Sequence, residues 1–129
     1  MVSGQPDSRA VILARMPETV IAIGQLYGAA ARAEELRALL RDHEHRAAGT
    51  PGCRRFHVGV SLRDPHQYVI TQEWEDPASL ADFVRSATFH DYQRQLVGLL
   101  TREWRYSVYR AHDAIALEDI APMDPSRAD

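Results

Sequence analysis

Along the 129-residue chain the spacing of apolar residues changes several times, and each change marks an element. From Thr19 to Tyr27 (TVIAIGQLY) β-branched and apolar residues run together, which predicts a buried strand ended by Gly28. Between Ala29 and about Ala48 strong helix formers take over, and Leu36, Leu39, Leu40, His43 and Ala47 fall on one stripe. Gly49-Thr50-Pro51-Gly52 stops that helix. Arg54 to Leu62 then alternates, with Phe56, Val58, Val60 and Leu62 on one face and Arg55, His57, Gly59 and Ser61 on the other. After a turn at Arg63-Asp64-Pro65-His66, Gln67 to Glu75 alternates again. Tyr68, Ile70, Gln72 and Trp74 share one face of it, Val69, Thr71 and Glu73 the other, so the two strands make a hairpin.

Asp76-Pro77 places an N-cap before a proline at the first helical position, and a helix follows through Leu80, Phe83, Val84 and Ala87. Thr88 with Asp91 resembles a capping box, which predicts a second helix from Thr88 to Leu100. The break decides what points inward. A continuous helix would turn His90 and Arg94 onto the Phe83–Ala87–Val97 stripe, whereas a broken one turns in Phe89, Tyr92, Leu96 and Leu100. The broken form is the expected one. Glu103 to Ala111, alternating through Trp104, Tyr106 and Val108, gives a last strand.

The order β-α-β-β-α-β is an α+β, ferredoxin-like split βαβ arrangement, an antiparallel sheet with its helices on one face. Residues 18–112 form this domain, 1–17 an N-terminal arm with a short extra strand at Val11–Arg15, and 113–129 a C-terminal tail. Both faces of the strands carry apolar residues, so the face without helices needs a cover, and a homodimer stacking sheet on sheet supplies it. Val11–Arg15 and Ala114–Ile120, short apolar segments outside the repeat, are candidates to reach across to the partner.

Charge and composition narrow the chemistry. A net charge of −3 argues against nucleic acid as a partner, and the short apolar runs exclude a membrane span. The polar start does not read as a signal peptide, so the cytoplasm is the expected location. All 15 basic residues are arginine, and the absence of lysine removes Schiff-base and P-loop chemistry. Cys53 stands alone, His43 and His45 are two apart and share no helix face, and no metal-ligand spacing or phosphate loop occurs. No metal, flavin or haem is expected.

Pro51-Gly52-Cys53 after the first helix, Glu73-Trp74-Glu75-Asp76 closing the hairpin, and a helix ending near Phe89 to Tyr92 resemble the antibiotic biosynthesis monooxygenase family over roughly residues 19–110. The resemblance implies a dimeric α+β barrel and oxygenation of a phenolic or quinol-type aromatic, of the kind found in polyketide metabolism, without metal or flavin. It also leaves room for a non-enzymatic binding protein, or for an isomerase or cyclase using the same pocket. Two positions depart from the family pattern. Asparagine, used in the pocket by several members, occurs nowhere in this chain, and the family's common histidine in the second helix falls on Phe83.

Under this reading Trp74 stacks a flat substrate, with Tyr68 beside it and Gln72 or Arg94 holding its carbonyl oxygen. A histidine titrates near neutrality and suits a base that takes a phenolic proton, with His57 and His90 as candidates. The small aromatic substrate would sit between helices and sheet in each subunit, walled by Trp74, Tyr68 and Gln72.

Overall fold

The computed structural model describes residues 18–121, so the proposed strand at Val11–Arg15 lies outside the described residues. Strands β1 (Thr19–Tyr27), β2 (Cys53–Val60), β3 (Gln67–Trp74) and β4 (Arg105–Ala111) form one antiparallel sheet in the order β2-β3-β1-β4. Helix α1 (Ala33–Ala48) follows a short 3₁₀ turn at Ala30–Arg32 and packs on β2. Helices α2 (Pro77–Arg85) and α3 (Ala87–Val97) complete the helical layer, and α4 (Leu117–Ile120) is a single exposed turn within the segment expected to be a tail. This is the ferredoxin-like α+β arrangement.

Alternation along each strand sends one set of side chains under the helices. Val20, Leu26, Tyr68, Ile70 and Trp74 are all at most 2% exposed, and the α1 stripe of Leu36, Leu40, His43 and Ala47 closes over them. Glu44 adds a tie from α1, its carboxylate accepting the Val58 N–H of β2 at 2.7 Å.

The second helical segment breaks two residues before the expected place. Ser86, not Thr88, is the cap: its backbone is extended, its Oγ accepts the Phe89 N–H at 3.1 Å and donates to the Phe83 carbonyl at 2.7 Å. The side-chain hydroxyl thus ends α2 and begins α3 within one residue. The break turns Tyr92 and Leu96 inward and half-buries Phe89, while Leu99 rather than Leu100 completes the buried set.

Candidate active site

The polar groups of the interior come from four elements. On β3, Gln72 and Trp74 are two apart and share the helix-facing side. Trp74 is fully buried, Gln72 is 4% exposed, and the indole N–H donates to Gln72 Oε1 at 2.9 Å. Because an indole can only donate, this bond fixes which end of the amide is the oxygen and leaves its NH₂ for another acceptor. The Tyr106 phenol of β4 lies beside that amide. Its ring lies over Gly24 of β1, its strand neighbour, where any Cβ would come within less than 3.0 Å of the ring. Burial pushes the Tyr106 phenol up to about 12, and hydrogen bonding from Gln72 acts against that rise.

Above this line lies an aromatic cluster. His43 of α1 stacks on Tyr92 of α3 with ring centres 3.5 Å apart and planes within 2°. Phe56, Phe83 and Phe89 surround the imidazole at 5.2, 5.6 and 5.9 Å. Burial holds the His43 pKa down at about 4, opposed by Asp42, and pushes the Tyr92 phenol well above its ordinary value. Among the described residues two buried side-chain atoms find no hydrogen-bond partner: His43 Nε2 and Tyr92 Oη. Phe83 joins the two groups, its ring 5.0 Å from that of Trp74.

Several expected site residues lie elsewhere. His57 is exposed on the face of β2 turned away from the helices, because Phe56 takes the inward position. It is therefore on the opposite side of the sheet from Trp74. His90 is exposed on α3, and Arg94 is exposed and paired with Asp91, because the break at Ser86 rotates both to the solvent flank. Tyr68 does share the face of Gln72 and Trp74, but its hydroxyl accepts from Arg37 Nε at 3.0 Å at the far end of the strand. Trp74 therefore packs on Phe83 and Gln72 lies beside Tyr106, away from His57, His90 and Arg94. Phe83, Tyr92 and Tyr106 fill the interior where an open pocket was expected.

His43 was legible as a member of the α1 stripe, though its unpartnered Nε2 was not. Tyr92 followed from the broken helix. Tyr106 was placed on the last strand, but only Gly24 opposite it explains how its ring reaches Gln72.

Residues 19–95 match the model of the antibiotic biosynthesis monooxygenase family. The chain belongs to this family. Its fold recurs in a candidate antibiotic biosynthesis monooxygenase from Deinococcus radiodurans, 24% identical with a TM-score of 0.73 over 76% of this chain and 97% of that one. Rv0793 from Mycobacterium tuberculosis is similar at 22% identity and a TM-score of 0.70, covering 76% and 99% of the two chains. An asparagine-to-alanine variant of SnoaB, described as a cofactor-independent oxygenase from Streptomyces nogalater, matches at 16% identity and a TM-score of 0.66 over 75% of this chain and 96% of that one. No curated protein matches. Among the described residues no helix is long and apolar enough to cross a membrane, and no three His, Cys, Asp or Glu side chains gather as a metal site.

Proposed function

We propose that the protein is a homodimeric, cofactor-independent oxygenase of a phenol- or quinol-type aromatic ring, of the polyketide kind. The observation that carries this reading is the buried Trp74–Gln72 pair, an aromatic plane whose only polar handle is tied to an amide whose donor end faces Tyr106. A ring stacked on Trp74 could take the Gln72 NH₂ from Tyr106 with its own oxygen. The reaction needs no outside reductant. The phenol O–H and a ring C–H supply two electrons and two hydrogens, one atom of O₂ becomes the new carbonyl, and the other leaves as water. The apolar interior excludes solvent and orients the ring.

The geometry supports neither His57 nor His90 as the base. His43 is the histidine at the interior, and with a pKa of about 4 it is neutral and able to accept a hydrogen bond at pH 7. Full proton transfer from an ordinary phenol of pKa about 10 would run uphill by roughly six units. This favours rings whose hydroxyl is acidified by a conjugated carbonyl, or whose proton leaves with an electron. The same observation favours a second reading, a non-enzymatic binder of such rings, because burial holds His43, the histidine at the interior, well below neutrality.

An oxygen electrode with 1,8-dihydroxy-9-anthrone separates the two. Uptake of one O₂ per quinone formed, lost in Gln72→Leu, supports the oxygenase. Saturable binding without uptake supports the binder. The dimer draws support from the outer sheet face, where Ile23 is 38% and Tyr109 54% exposed.

A further inference from the structure

The sheet has two edges, and they are finished differently. Main-chain groups along an antiparallel strand point to its two neighbours in alternation, so one bond fixes the direction of the rest. The Ser61 N–H donates to the Gln67 carbonyl at 2.9 Å, so His57 and Gly59 also face β3, and Val58 and Val60 face outwards. Carried across the register, the odd residues of β1 face β4, in keeping with the Tyr27 carbonyl accepting from the Thr101 N–H at 2.8 Å. Tyr106, Val108 and Arg110 therefore turn their main-chain groups to the outer edge of β4.

Glu44 closes the β2 edge. Its carboxylate takes the Val58 N–H at 2.7 Å in the outward row, which blocks pairing with a further strand. Among the described residues no side chain does the same for β4. Val108 is 58% and Tyr109 54% exposed, and no helix packs along β4 as α1 packs along β2.

The start of the described chain is tied to this second edge. Glu18 pairs with Arg110 at 3.4 Å and lies 3.3 Å from His112 Nδ1, and Thr19 stands opposite Ala111. Shortly before it, residues 11–15 (VILAR) make an aliphatic, partly β-branched run that precedes the part matched to the family, residues 19–95. The reach is sufficient. The chain from Arg15 to Thr19 extends to about 13–14 Å. Stepping from β1 past β4 to the next strand position takes only about 9–10 Å, two strand spacings. The lengths also agree, since residues 11–15 as a strand cover about 17 Å, as does the stretch from Tyr106 to Arg110.

We propose that residues 11–15 of the same chain form a fifth strand on the β4 edge, bonded to the main chain of Tyr106, Val108 and Arg110. Arg15 has to finish near Ala111, where β4 also finishes, so the added strand runs parallel to β4. Both of its alternate sets are apolar, Val11 with Leu13 and Ile12 with Ala14, so either set covers Val108 on the helix side. The arm then steadies the backbone from which the Tyr106 phenol reaches Gln72. This docking does not depend on the oxygenase reading.

Amide exchange followed residue by residue by NMR tests it on the full chain. The Val108 N–H should exchange at least about a hundredfold more slowly than an open amide. Deleting residues 1–16 should return it to the open rate, and so should Leu13→Pro, which removes a donor and fixes φ. The Ser107 N–H, which faces β1, should stay protected in both, showing that β4 keeps its place in the sheet. If either change unravels β4, a nuclear Overhauser contact between Leu13 and Val108 in the full chain decides, and its absence counts against the strand. An open Val108 amide in the full chain would overturn the proposal. Protection that survives both changes would do so too, and would assign the edge to a second copy. A labelled truncated chain mixed with unlabelled full chain covers an exchanged arm. An intrachain strand leaves the labelled Val108 amide open, whereas regained protection would show that the arm crosses to the partner and would overturn the proposal.

Discussion

The two faces of the sheet are written by alternate residues of the same four strands, yet they end in different states. On the helix side Val20, Ile70 and Trp74 are at most 2% exposed; on the other side Ile23 is 38% and Tyr109 54% exposed. Strand alternation creates both faces equally. Closure depends on what else the chain can lay over them, and the α1 stripe with the Ser86 elbow reaches only one. The polar residues show the difference most clearly. Gln72 and Trp74, shut in, bond to each other, whereas His57, one strand away and facing out, stays in contact with water.

The largest effect that tests this contrast is Trp74→Ala. Removing the indole empties a site in contact with Phe83 and orphans the Gln72 oxygen, so the variant should lose about 3–5 kcal/mol in a denaturant titration. A loss below about 1 kcal/mol would mean the interior collapses easily, and that Trp74 is held loosely enough to act as a mobile pocket wall.

Acid should separate the faces next. The His43 pKa falls from 6.5 when unfolded to about 4 when folded, because burial disfavours the charged ring. The stabilisation is therefore complete above pH 6.5, is lost as the pH falls from there towards 4, and levels off below. That difference corresponds to about 3 kcal/mol. Thermal melts from pH 7 to 4 should follow this slope, and His43→Leu should flatten it. His57→Ala, on the open face, should leave it intact.

Gly24→Ala should have an intermediate effect. Its methyl would press on the Tyr106 ring, which must shift and release Gln72, for a loss of about 1–3 kcal/mol. In Tyr106→Ala the same glycine substitution should become nearly neutral, and a double-mutant cycle measures that coupling. Additive losses would mean that Gly24 is required by strand geometry rather than by the ring.

What the sequence made legible follows the same division. The strands, the α1 stripe and the inward set of the second helix could be read because each is a periodicity within one segment. His57 could even be placed opposite Phe56 by that alternation; which of the two faces would hold the polar interior could not, because helix placement decides it. The elbow was misplaced by two residues, since Thr88 with Asp91 offers a capping pattern whereas Ser86 caps with only its own hydroxyl. The Gln72–Tyr106 meeting was out of reach for a different reason. It depends on a glycine in β1 letting a β4 ring cross towards β3, a relation among three strands that no window along the chain contains.

The smallest effects on the fold belong to the outer face, and they decide what that face is for. Single exposed substitutions away from caps and cores change stability by about 0.5 kcal/mol or less, so Ile23→Asp and His57→Ala should both melt close to the unaltered protein. Their effects on association should differ. Ile23 sits centrally, on β1 between the Thr71 and Ser107 positions, and a carboxylate there would be buried unpaired if a second sheet packed against it. Ile23→Asp should therefore shift sedimentation from dimer to monomer at micromolar concentration. His57→Ala lies on β2 at the edge of the sheet, where a lost imidazole leaves no buried charge, and should remain dimeric. If Ile23→Asp sediments as the unaltered protein does, the outer face is not the interface, and its apolar residues stand in water as part of an ordinary surface.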